Sequence, residues 1–217
     1  FRSQKTADCV SAMVDAVDLP VTVKHRIGVD DFDSYPFLCD FVGAVANAGC
    51  DTFIVHARKA WLKGLSPKQN REIPELNYER VYQLKQDFPN LEIIINGGIT
   101  DLAESKEHLK HIDGVMIGRE AYTNPYLLAE VDQQIYDYSL ATKKRKIIAE
   151  EFIQYVDNEL SQDIRLQSMT RHILGLFHGM PGARQFRRHI SENAHKPNAT
   201  IDVLVDALAK TTGMTDL

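Results

Sequence analysis

Apolar positions change their spacing several times along the chain, and each change predicts an element. Val10, Met13, Val14 and Val17 fall on one helical stripe, which predicts a helix over 5–17. The β-branched run Pro20-Val21-Thr22-Val23-Lys24 predicts a short strand. Helical spacing returns at Phe37, Leu38, Phe41, Val42 and Val45, with Asp33 and Ser34 as start signals and Gly49 as the stop. Further strands are predicted at 51–56, 91–96 and 113–118, with helices near 77–87 and 101–110 between them and an irregular stretch over 57–76. Beyond residue 125 the strand signals cease. Helices are predicted over 125–137, 143–160, 165–177, 184–194 and 200–210, broken by Met180-Pro181-Gly182.

Short apolar strands alternating with amphipathic helices imply βα units and a buried parallel sheet. The chain therefore divides near residue 140, at the polar junction Ser139–Lys146, into an α/β part (1–140) and an all-α helical domain (141–217). A closed (β/α)8 barrel needs eight strands and about 250 residues. Here a helix comes first and only four strands follow. An open dinucleotide-binding sheet is disfavoured, because no G-x-G-x-x-G follows any strand. The expected fold class is α/β, the C-terminal half of a TIM (β/α)8 barrel carrying strands five to eight, followed by the helical domain. Half a barrel leaves two sheet edges and an apolar interior in water. This chain by itself is therefore expected to self-associate, swap elements or loosen in its α/β part, while the intact protein is expected to be a monomer.

Composition narrows the class without naming the chemistry. Of 217 residues, 44% are apolar and 25% charged, as in folded globular proteins, which excludes wholesale disorder. No apolar run reaches the length of a membrane span, about 20 residues, and Phe1–Lys5 does not read as a secretory leader. Three cysteines without a C-x-x-C suggest neither a disulfide framework nor a metal site, and point to a reducing, cytoplasmic setting. Net charge is −5, yet it is unevenly spread. From 165 to 196, Arg165, Arg171, Arg184, Arg187, Arg188 and Lys196 face Glu192 alone; from 58 to 71, Arg58, Lys59, Lys63, Lys68 and Arg71 face no acid. Two concentrated basic segments on an acidic chain suggest a local polyanion contact.

In a parallel barrel, function sits at the C-terminal ends of the strands. Those ends read Lys24-His25-Arg26, His56-Ala57-Arg58, Asn96-Gly97-Gly98 and Gly118-Arg119. A Gly-Gly turn lets backbone N–H groups approach a ligand, and Gly118-Arg119 adds an amide and a guanidinium suited to a phosphate. Phosphate sites in such barrels follow the seventh and eighth strands, consistent with strands five to eight here.

Val23-Lys24 through Gly28, Val55-His56-Ala57-Arg58, Asn96-Gly97-Gly98-Ile99 and Met116-Ile117-Gly118-Arg119 together resemble the flavin-binding half of the tRNA-dihydrouridine synthases. Arg58 to Pro67, Asn70 to Pro74 and Gly182 to Arg188 are similar to the A-type bacterial subfamily and its C-terminal helical domain. The resemblance implies FMN across the barrel mouth, with its phosphate on Gly97, Gly98, Gly118 and Arg119 and with Asn96 beside it. It implies that Lys24 and His56 approach the flavin, where a cation favours negative charge on the ring. It implies NADPH as the electron source and uridine in the tRNA D loop, at positions 20 and 20a, as substrate. Lys68, Arg71, Arg184 and Arg187 are similar to positions that orient the tRNA, which would lie between the two parts of the chain while a flipped base enters the pocket.

One departure is plain. The family's proton-donating cysteine lies in an Asn-x-Gly-Cys-Pro segment that this sequence lacks. Cys9 and Cys39 fall in predicted outer helices and Cys50 precedes a strand, so the donor is expected upstream and this chain alone is expected to be inactive. Two other readings stand beside this one. The first is an FMN barrel acting on a small molecule, similar to a dihydroorotate dehydrogenase; the second is a non-catalytic RNA-binding fragment.

Overall fold

The computed structural model describes residues 3–139 and 141–211. Leu140, inside the expected polar junction, lies outside them, as do the two residues that open the chain and the last six. The chain forms two compact units, Phe1–Gly118 and Arg119–Leu217.

Unit 1 alternates helix and strand: α1 (Ser3–Ala16), β1 (Thr22–Arg26), α2 (Tyr35–Ala46), β2 (Thr52–His56), α3 (Tyr78–Asp87), β3 (Glu92–Asn96), α4 (Leu102–Leu109) and β4 (Gly114–Met116). The strands form one sheet in the order β1-β2-β3-β4, every pair parallel. Its two faces differ. Phe53, Val55, Ile93 and Ile95 are fully buried in one core with Leu38, Val42 and Val45 of α2 and Val81 and Leu84 of α3. Thr52, Ile54, His56, Ile94 and Asn96, on the other face, are only half-buried.

Local chemistry places the helix starts. Ser34 Oγ accepts from Phe37 N at 3.3 Å, with Pro36 in the first turn of α2. Asn77 accepts from Arg80 N at 2.9 Å at the start of α3. At α4, Asp101 accepts from Glu104 N at 2.7 Å while Glu104 Oε2 accepts from Thr100 N at 3.1 Å, a reciprocal cap that joins the chain after β3 to its helix. Gly49, at φ +98°, turns the chain out of α2 as the stop signal requires.

Unit 2, among its described residues, is helical: α5 (Arg119–Thr123), a 3-10 turn Pro125–Glu130, α6 (Val131–Gln134), α7 (Arg145–Leu160), α8 (Leu166–Thr170), α9 (Ala183–Asn193) and α10 (Asp202–Ala209). Its core gathers Val156, Leu166, Phe177, Phe186, Ile190 and Leu204. The units divide at Gly118/Arg119, earlier than the expected junction near residue 140. The reason is packing. Arg145 stacks over the Tyr126 ring at 3.6 Å, and the Tyr126 hydroxyl donates to Lys143 O at 3.1 Å.

Two predicted helices are shorter than their apolar spacing implied. The 165–177 helix stops at Thr170, and 3-10-like bonds such as Leu176 N to Ile173 O (3.0 Å) replace it. A Cβ on Gly175 would stand 2.2 Å from Thr123 O, so this stretch runs against α5 too closely for any other residue. Pro125 begins the 3-10 turn where a helix over 125–137 is expected. Among the described residues no helix is long and apolar enough to cross a membrane, and no three His, Cys, Asp or Glu side chains cluster as metal ligands.

Candidate functional site

Parallel register lines up the strand ends. Arg26 lies opposite His56, His56 opposite Asn96, and Asn96 opposite Met116, so one row crosses the sheet at its C-terminal edge. Side chains two apart share a face, which puts Lys24 with Arg26, His56 and Asn96, away from the buried Phe53 face. His25 belongs to the other face. Its ring packs edge-on against Phe41 and Phe53, at 5.1 and 5.9 Å, and burial lowers its pKa. Of the expected Lys24-His25-Arg26 cluster, two members reach the rim.

Asn96 joins that rim together. Lys24 Nζ donates to Asn96 Oδ1 at 3.1 Å, and Asn96 Nδ2 donates to Met116 O at 2.7 Å, so one amide ties β1 to β4 across the sheet. Both bonds require the same amide orientation. The Lys24 pKa lies below its ordinary value, first through burial and then through the neighbouring Arg26 charge.

The Gly97–Gly98 turn follows directly. Its φ angles, +115° and +78°, lie in the left-handed region that glycine tolerates. A Cβ on Gly97 would stand 3.2 Å from the His56 ring, and one on Gly98 would stand 2.7 Å from Leu76. These glycines are therefore required by close packing on the protein side as well as by backbone shape. Gly97 is buried and Gly98 exposed. Tyr78 Oη donates to Gly97 O at 2.7 Å. Gly118 is exposed, with open space where a side chain would sit. Arg119 is the first residue of α5 and belongs to unit 2.

The irregular stretch 57–76 is held by side chains bonding to backbone. Arg26 Nη1 donates to Lys59 O at 2.9 Å and to Asn70 O at 2.8 Å. The Asn70 amide pairs with both backbone groups of Trp61, at 2.8 and 2.7 Å. Arg58 donates to Pro74 O. Lys59 pairs with Asp33 at 2.8 Å and lies over the Trp61 ring at 4.2 Å. Lys68 and Arg71 stay exposed, at the 3-10 turn Gln69–Arg71.

In unit 2, α9 buries Ala183, Phe186 and Ile190, so Arg184, Arg187 and Arg188 project from the opposite, exposed face. Arg188 pairs with Glu192 at 2.7 Å. Among the described residues, Arg184 and Arg187 make no ion pair.

The cysteines stand apart from the rim. Cys9 is exposed on α1 and Cys39 is half-buried on α2. Cys50 is buried ahead of β2, donates to Thr52 O at 3.3 Å, and has its thiol pKa pushed up by burial. None lies at a strand's C-terminal end. Two features escaped the reading of residues: the Tyr78 bond to Gly97 and the Arg26 tie to the loop. Tyr78 carries no local signal beyond following the Asn77 cap. Arg26 reads as one rim cation among several.

The parallel βα sheet thus gathers a lysine, a histidine, an oriented amide and a glycine turn along its C-terminal edge, the edge at which parallel α/β folds bind ligands. The description of the dihydrouridine synthase (Dus) family matches residues 2–212. The chain is 62% identical over 205 residues to the tRNA-dihydrouridine(20/20a) synthase of Vibrio cholerae, covering 94% of this chain and 63% of that protein. It is 60% identical over 204 residues to that of Yersinia pestis (94% and 59%), and 59% identical over 207 residues to that of Escherichia coli strain K12 (95% and 60%). The chain belongs to the dihydrouridine synthase family. It spans less than two thirds of the length of these relatives.

Proposed function

We propose that the protein containing this chain reduces uridine to 5,6-dihydrouridine in the D loop of tRNA, at positions 20 and 20a, with FMN as cofactor and NADPH as electron source. The observation that carries this reading is the 62% identity to a tRNA-dihydrouridine(20/20a) synthase over 94% of the chain. In this reading β1–β4 are strands five to eight of a barrel, a view supported by the all-parallel order and by the unlike burial of the two faces. The barrel part would bind FMN and the helical part would bind tRNA.

The residues present fit a flavin phosphate. Gly98 and Gly118 are exposed residues, and nothing lies within 4 Å of where a side chain on Gly118 would begin. Gly97, Gly98, Gly118 and Arg119 would hold the phosphate with Asn96 beside it, and Lys24 and His56 would approach the ring. Bound there, FMN supplies hydride transfer between NADPH and C6 of the uracil. The Lys24 ammonium, aimed by Asn96, favours negative charge beside it. Cys9, Cys39 and Cys50 lie away from the C-terminal strand ends, so in this reading none of the three would protonate C5. Lys68, Arg71, Arg184 and Arg187 would contact tRNA phosphates, which position an RNA without reading its bases.

The test uses the intact protein with FMN, NADPH and unmodified tRNA. Nucleoside mass spectrometry should record a gain of two hydrogens at uridines 20 and 20a. Flavin reduction without that gain would favour a small-molecule oxidoreductase. Tight tRNA binding with no flavin absorbance would favour an RNA-binding protein.

A further inference from the structure

The Gly97–Gly98 peptide is the one Gly-Gly bond in the sequence. A peptide plane between two glycines meets little steric resistance to rotation, because neither neighbour carries a Cβ. The plane is rigid in itself, and in the trans form its C=O and N–H point in opposite directions. Whatever holds the Gly97 carbonyl therefore also sets the direction of the Gly98 N–H.

Tyr78 holds that carbonyl, at 2.7 Å. Its hydroxyl has one proton and two acceptors in reach, Gly97 O and, at 3.4 Å, Glu104 Oε1. The shorter bond takes the proton. Burial and the Glu104 charge push the phenol up to about 12, so it remains a donor throughout the neutral range. The ring itself is fixed. It packs edge-on against His108 at 4.5 Å, and His108 is buried with Nδ1 2.6 Å from Tyr82 Oη. Glu104 is anchored in turn by Thr100 N at 3.1 Å. The donor that sets the plane is thus held by α3 and α4.

We propose that Tyr78 is a positioning residue whose hydroxyl locks the Gly97–Gly98 peptide plane and so aims the N–H of Gly98, an exposed residue, as a standing donor to an anionic phosphate. Without the lock, the anion must meet a plane that samples the flipped orientation, and binding must then cover the cost of ordering it. This rests on the reading that the rim receives the flavin phosphate. Tyr78 itself touches neither phosphate nor substrate; it acts through the backbone.

The test compares FMN with riboflavin, which has the same ring and no phosphate, in the intact protein and in Tyr78→Phe. The substitution keeps the ring against His108 and removes the hydroxyl alone. FMN affinity should fall about tenfold, the scale of one lost oriented hydrogen bond. Riboflavin affinity should stay unchanged. Equal losses for both flavins, or no loss for either, would overturn the proposal. If the unsubstituted protein binds riboflavin as tightly as FMN, the phosphate reading fails and the positioning role fails with it. Should Tyr78→Phe not fold, the unsubstituted protein without flavin supplies the answer through amide relaxation. A Gly98 N–H as rigid as those of β3 supports the lock, and exchange broadening confined to that amide overturns it.

Discussion

In the loop after β2, Arg58 donates to Pro74 O and Lys59 pairs with Asp33, whereas on α9 Arg184 and Arg187 project from a helix that buries Phe186 and Ile190 behind them. Both segments are basic, yet they hold their shape by different means. A helix satisfies its own backbone and needs only an apolar face to dock. An irregular loop has no internal ladder, so side chains must supply its backbone partners. In the loop, part of the charge is thereby consumed in folding. The lesson is that a count of cations overstates what an irregular segment can offer a polyanion, and states it more fairly for a helix.

The most forceful way to break this contrast is to remove the apolar support of the helix. Phe186 is almost wholly buried and packs edge-on against Phe177 at 4.8 Å, so Phe186→Ala should destabilise unit 2 by about 3–5 kcal/mol. Denaturant unfolding checks this, and an unmoved midpoint would mean that α9 does not depend on its apolar face.

In the loop the corresponding lever is polar. Asn70→Ala removes both bonds to Trp61, at 2.8 and 2.7 Å, and should cost about 1–3 kcal/mol locally. Amide exchange across 59–71 should accelerate while β2 and β3 stay protected. Unchanged exchange would show that Arg26 suffices to hold the loop.

Charge removal on the helix should behave in the opposite way. Arg184→Ala with Arg187→Ala should leave stability within about 0.5 kcal/mol. It should lower the salt slope of tRNA binding by about 0.7–0.9 for each phosphate that is no longer neutralised. A slope equal to that of the unsubstituted protein would make α9 a solvated face.

The smallest expected effect concerns pH and sharpens the contrast between the units. His25 and His108, both in unit 1, have pKa values lowered from 6.5, chiefly by burial. Each binds a proton more readily unfolded than folded, so stability rises with pH in this window. Acidification from 7 should loosen unit 1 as the pH drops through about 6.5 towards the folded values. Exchange of the amides of β1 and α4 should quicken there, and pH-independent exchange would remove the histidine contribution.

How much of this was legible depended on distance along the chain. The strand β3 and its Asn96-Gly97-Gly98 terminus could be read directly, because apolar run, turn and cap are neighbours in sequence. The Phe37–Val45 periodicity likewise yielded α2, with its Ser34 cap. The apolar spacing at Ile173, Leu176 and Phe177 read as helix, yet these residues are buried in turns. Periodicity reports which side chains are buried, while the approach of Gly175 to Thr123 decides the backbone. His25 shows the same gap. Its place at a strand end was plain, but alternation turns its ring towards Phe41 and Phe53, away from Lys24 and Arg26.

By itself the sequence determined the order of βα units, the helical character of the second half, the glycine turn and the family. Each of these rests on residues near one another in the chain or on motifs of fixed spacing. Only the tertiary structure decided that Lys24 meets Asn96, that Arg26 ties down the 57–76 loop, that Tyr78 holds Gly97, and that the units part at Gly118. Those outcomes depend on parallel register and on helix packing against the sheet. They join residues far apart in the chain, and a hydrogen bond of that kind leaves no periodic trace in the sequence of either partner.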